Sequence, residues 1–154
     1  DPTSVRPTWA LNGRIYFSFA VPSQTPHWGL TSVKVDGSDW LHHTPAGESD
    51  TDPAVSWDGG RMALRRMRGD MNYGVILTDL SGNPLFMTNQ PGIGQMPAWS
   101  RNDQFIAYVG APSVNGPANE IYVTRINAFW KKHVTTGAAV GGGRNPVFVR
   151  RLEN

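Results

Sequence analysis

The chain has 154 residues, 39% of them apolar, with 17 Gly, 12 Pro, no Cys and a formal net charge of +2. A chain of this length can bury a sizeable core, so disorder is not expected, while so much Gly and Pro argues against a helical bundle, whose interior they weaken by about 1 and 3 kcal/mol per residue. Without cysteine there is neither a disulfide framework nor a thiolate metal site. The basic clusters Arg65-Arg66 with Arg68, Lys131-Lys132 and Arg150-Arg151 are short and scattered. They read as solvated strand faces rather than a nucleic-acid-binding stripe.

In chain order, four segments share one pattern: Arg6-Pro7-Thr8-Trp9, Asp52-Pro53-Ala54-Val55, Met96-Pro97-Ala98-Trp99 and Asn145-Pro146-Val147-Phe148. Their prolines are 46, 44 and 49 residues apart, and a period of about 40–50 residues signals blades or an array. Each complete copy runs from this first strand into a tight turn at Asn12-Gly13, Asp58-Gly59 or Asn102-Asp103, residue types that tolerate positive φ. A second strand follows at Ile15–Phe19, Met62–Arg65 and Ile106–Val109, with apolar residues at period two. Variable loops lead to a third strand at Leu30–Val35, Val75–Leu80 and Glu120–Ile126, and a short fourth ends near Thr44, Thr88 and Thr135. The expected fold is all-β: three four-stranded antiparallel meanders over residues of about 6–51, 52–95 and 96–144, plus one strand of a fourth in 145–154.

The best copy, Pro97-Ala98-Trp99-Ser100-Arg101-Asn102-Asp103 followed by Ile106-Ala107-Tyr108 and Ile121-Tyr122-Val123, resembles the TolB-type β-propeller repeat. The resemblance runs from about Arg6 to Phe148. The second copy departs from it with Val55 at the tryptophan position and Trp57 where the family has proline, and the first copy is one residue short after its turn. What the resemblance implies is a periplasmic or secreted propeller that binds a protein partner, in a family whose repeats also serve as gates or scaffolds in peptidases. Closed propellers have about four to eight blades, so three repeats form an arc whose end faces are expected to be covered by further blades, by a second copy or by another subunit. The N-terminal Asp1-Pro2-Thr3 lacks the charged and apolar regions of a signal peptide, so a secreted form is expected to have lost a leader or anchor.

The chemistry-bearing residues point to binding rather than catalysis. Ser56 and Ser100 stand in the repeat frame, outside any Gly-x-Ser-x-Gly elbow, and are expected to bond strand ends. His42 and His43 are adjacent on a strand and so face opposite ways, while His42 and His133 fall on different blades. Neither pair has zinc-ligand spacing. Glu48, Asp50 and Asp52 form an acidic cluster before the second repeat. Carboxylates there are a conceivable Ca²⁺ site, but they lack EF-hand spacing and are read first as a solvated loop. No cofactor is expected otherwise.

Of the six tryptophans, Trp9, Trp57 and Trp99 are expected in the core, and Gly141-Gly142-Gly143 reads as a flexible joint. Trp28, Trp40 and Trp130 have no place in the repeat and are candidate anchors for a partner. Arg6, Asp50, Asp52, Gln95 and Arg144, all close before the marker prolines, are candidates for the channel mouth. The leading expectation is a non-enzymatic interaction or scaffold module. The alternatives are the propeller part of a hydrolase or lyase and a sugar-binding module.

Overall fold

The computed structural model describes residues 6–21, 27–68, 71–87, 94–111, 120–127 and 131–135. Trp130, Arg144, the glycine run and the stub 145–154 lie outside them. The described residues form three antiparallel sheets of four strands, each in chain order. The first blade holds β1 (Thr8–Trp9), β2 (Arg14–Val21), β3 (His27–Lys34) and β4 (Leu41–His42). The second holds β5 (Ser49–Val55), β6 (Arg61–Arg68), β7 (Met71–Asp79) and β8 (Pro84–Met87). The third holds β9 (Gln95–Trp99), β10 (Phe105–Gly110), β11 (Glu120–Arg125) and β12 (Lys131–His133).

Register confirms the repeat residue by residue. Trp9 pairs with Ile15, Val55 with Met62 and Trp99 with Ile106. Gly13, Gly59 and Asp103 close the first hairpins with φ of 78°, 70° and 53°, each in the left-handed region. The serines of the frame act locally, as expected. Ser56 Oγ donates to Asp58 and accepts from the Arg61 N–H, while Ser100 Oγ accepts from the Phe105 N–H.

The middle blade explains why the inner strands are apolar on both faces, since each face meets another sheet. Met62, Leu64 and Ile76 pack on Ala10, Tyr16 and Leu30 of the first blade. The alternating residues Ala63, Val75 and Leu77 pack on Trp99, Ile106, Tyr108 and Tyr122 of the third. Side chains thus lock the blades in series, with hydrogen bonds across each junction. The Val55 N–H donates to Thr8 Oγ1 at 3.2 Å, the Trp99 indole N–H to the Ala54 carbonyl at 2.8 Å, and the N–H groups of Trp57 and Asp58 to the Asp103 carboxylate at 2.8 and 2.7 Å.

The histidine pair splits as strand alternation requires. His42 Nδ1 lies 3.0 Å from Thr31 Oγ1 and His43 Nε2 lies 2.8 Å from Ser32 Oγ, with the His43 ring against Tyr16. Burial first, then the positive charges of Arg14 and His42, hold the His43 pKa below its ordinary 6.5, with Asp79 opposing. The unfolded chain therefore takes up this proton more readily. Its contribution to stability is present above pH ~6.5 and is lost as pH falls from there through the lower folded value. Urea melts across this range are expected to show the decline, and a smaller one in His43→Asn.

Candidate functional site

The residues just before the marker prolines sit where the innermost strands are bulged. Pairing of β5 with β6 shifts between Thr51 and Ala54, and that of β9 with β10 shifts between Ala107 and Val109. Asp52 and Met96 both have φ of 55°, a conformation rarely adopted by side-chain-bearing residues outside bulges and turns. These positions touch in series along the arc. Arg6 Nε lies 2.9 Å from Asp52 Oδ1, and Asp52 Oδ2 accepts from the Met96 N–H at 3.4 Å.

Beside this row lies a cleft of about 290 Å³ to which all three blades contribute. The second blade supplies Ser49, Thr51 and Asp52 from β5 and Arg65 and Met67 from β6. Gln95 and Met96 come from β9, and Trp28 reaches in from β3, its backbone N–H donating to Ser49 Oγ at 3.1 Å. Of the residues singled out in the sequence, Arg6, Asp52, Gln95 and Trp28 thus come together here.

Asp50 does not join them. It is 1% exposed on the opposite face of β5, where Arg66 Nε and Nη2 bond its two oxygens at 2.7 and 2.8 Å and Thr44 Oγ1 donates at 2.8 Å. Glu48 Oε2 also lies 2.8 Å from Arg66 Nε, and Arg66 Nη2 donates to the Gly82 carbonyl. The expectation of a solvated acidic loop beside a solvated basic strand is corrected here: the two meet in a buried network. Among the described residues no group of three or more His, Asp or Glu is placed to hold a metal ion.

Two of the three tryptophans expected in the core are not there. Trp99 is 5% exposed, whereas Trp9, at the same repeat position, is 62% exposed, and Trp57 is 57% exposed. Trp57 occupies the turn, where Arg101 covers its ring at 5.7 Å. Trp9 belongs to the leading face of the first blade, the face turned away from the second. Phe17, Phe19 and Trp40 share this face, with Trp40 edge-on to both phenylalanines at 5.5 and 5.8 Å. Phe17 corresponds by register to Leu64 and Tyr108, both fully buried between blades.

Among solved structures, the chain superposes on a candidate TolB from Agrobacterium tumefaciens with a TM-score of 0.69 at 11% identity, covering 85% of this chain and 50% of that one. TolB from Acinetobacter baumannii gives 0.66 at 15% identity, covering 86% and 32%. The three sheets share the propeller-blade fold of these TolB structures. A prolyl endopeptidase structure gives 0.57 at 18% identity, covering 81% of this chain and 18% of that one. The chain spans half the length, or less, of each of these structures. No family model and no curated protein matches the sequence. At such identities the likeness is one of fold, and function must be argued from the site.

Sequence reasoning missed Arg65. In sequence it belongs to one basic run with Arg66 and Arg68, yet strand alternation sends Arg66 toward the first blade and Arg65 toward the third. Period-two counting along β6 separates the two. What each meets there depends on the neighbouring blade.

Proposed function

We propose that this chain is a non-enzymatic interaction module, an arc of TolB-type blades that joins a larger propeller through the leading face of its first blade and binds a protein partner. The observation that carries this reading is the contrast between Trp99 and Trp9, identical in repeat position and 5% against 62% exposed. Trp99 is covered because a blade stands before it, offering the Ala54 carbonyl to its indole. Trp9 stands open to solvent on a face that also exposes Phe19 and Trp40, and that face fits another blade of the same repeat. Trp28, Trp40 and Trp130 are the proposed anchors, with Arg6, Asp52, Gln95 and Arg144 proposed around the channel mouth. A periplasmic or secreted location belongs to the same reading and is tested by fractionation.

Light scattering combined with intact mass is the test. Association that brings a blade to the leading face is expected, either as blades carried in one longer polypeptide or as a second copy, and the two measurements together separate these. A compact, stable monomer of 16.9 kDa at high protein concentration, with Trp9 still open to solvent quenchers, would overturn the proposal.

A further inference from the structure

The cleft beside the bulges contains a cation with no counterion among the described residues. Arg65 lines it, half-buried, and its Nε is shut off from solvent with no hydrogen-bond partner. Burial depresses the pKa of the guanidinium, and Asp52, the carboxylate that opposes this among the described residues, acts from beyond ion-pair distance. The two Asp52 oxygens are occupied by Arg6 and by the Met96 N–H. Thr51 Oγ1, paired across the strand from Arg65, is likewise buried without a partner. A buried guanidinium and a buried hydroxyl left unsatisfied side by side are both costly. The Nη groups of Arg65, which are not shut off and face the cleft, are open to one group of opposite charge.

We propose that this cleft binds a carboxylate of a peptide, held by the Nη groups of the Arg65 guanidinium, with Trp28, Met67 and Met96 packing on the chain that carries it. Charge selects the class. Arg6 and Asp52 cancel, which leaves the single charge of Arg65 to be matched by a monoanion, and a phosphate dianion would leave an excess negative charge beside Asp52. Size agrees, since about 290 Å³ lies at the lower end of ligand pockets and suits one or two side chains rather than a cofactor. The apolar wall gives the methylenes or neighbouring side chain of the ligand a surface to cover. The site deepens the reading of the chain as a protein-binding module, yet it does not involve the leading face of the first blade, so an association experiment leaves it untouched.

Three peptides test it against the full chain: Ac-Ala-Glu-Ala-NH2 with a side-chain carboxylate, Ac-Ala-Ala-Ala-OH with a terminal one, and Ac-Ala-Gln-Ala-NH2 with neither. The readout is the Arg65 Nε–Hε resonance, its shift and its protection from exchange, assigned by its loss in Arg65→Gln. At least one carboxylate peptide is expected to shift and protect this resonance and to bind at least tenfold more tightly than the glutamine peptide, and whichever does so identifies the source of the carboxylate. Arg65→Gln is expected to weaken that peptide at least tenfold. Equal responses to the glutamate and glutamine peptides with none to the terminal carboxylate, undiminished binding in Arg65→Gln, or tighter binding of inorganic phosphate than of either carboxylate peptide would overturn the proposal. The wild-type comparison needs no variant to fold, and its failure would leave the blade-association reading standing.

Discussion

Replacing Asp50 with alanine is expected to lower the unfolding free energy by about 3–5 kcal/mol, the usual consequence of stranding one partner of a buried ion pair. Asp50 and Arg66 are 1% and 4% exposed, and the guanidinium engages both carboxylate oxygens at 2.7 and 2.8 Å. Removing the carboxylate leaves a buried guanidinium with Glu48 and the Gly82 carbonyl, and leaves the Thr44 hydroxyl, which also accepts from the Leu30 N–H at 2.6 Å, without its acceptor. The effect therefore reaches the junction of the first and second blades. Urea denaturation measures it, and a triple replacement, Asp50→Leu with Arg66→Met and Glu48→Gln, is expected to cost less than the single one because no charge of the network is stranded. A loss under about 1 kcal/mol for Asp50→Ala would mean that water reaches the pair.

The second large effect separates two tryptophans that the sequence makes equivalent. Trp99→Ala is expected to cost about 3–5 kcal/mol, since it empties a site between two blades and strands the Ala54 carbonyl. Trp9→Ala is expected to change the stability of the isolated chain by no more than about 0.5 kcal/mol, the usual range for exposed positions. Association should respond in the opposite sense. Trp9 faces the surface proposed to receive another blade, so Trp9→Ala is expected to abolish the higher-mass species in light scattering while leaving the melt unchanged. Equal stability losses for the two substitutions would place Trp9 in a packed environment and remove the basis for the leading-face interface.

Much of the architecture was legible because propeller blades repeat their punctuation. Pro7, Pro53 and Pro97 locate the innermost strands, and Gly13, Gly59 and Asp103 mark the turns that need positive φ. The strand bounds were less legible. The third strands expected to begin at Leu30 and Val75 begin earlier, at His27 and Met71, and the second strand expected to end at Arg65 runs to Arg68. Ladder pairing across the sheet extends strands past the point where apolar alternation stops, a contribution a single segment does not carry.

The candidate site was legible in part for the same reason. The places of Arg6, Asp52 and Gln95 beside the marker prolines point to them, whereas Arg65 sits inside a basic run and Asp50 inside an acidic loop, and nothing in either run says which charge is matched. Charged residues on a strand between two sheets have no fixed fate in sequence. Arg65 and Arg66 are neighbours in the chain, yet one is saturated by Asp50 and the other meets an open cleft.

What the sequence by itself determined is the periodic set: blade length, strand order, the turns, and the alternation that sends Met62 and Leu64 one way and Ala63 the other. These follow from local φ/ψ preference and the two-residue period of a strand, which act within a few residues of chain. Only the tertiary structure decided which repeat-equivalent side chains are buried and which charges are matched. Trp9 and Trp99, or Arg65 and Arg66, differ through the sheet packed against them, because burial and ion pairing are properties of neighbours in space.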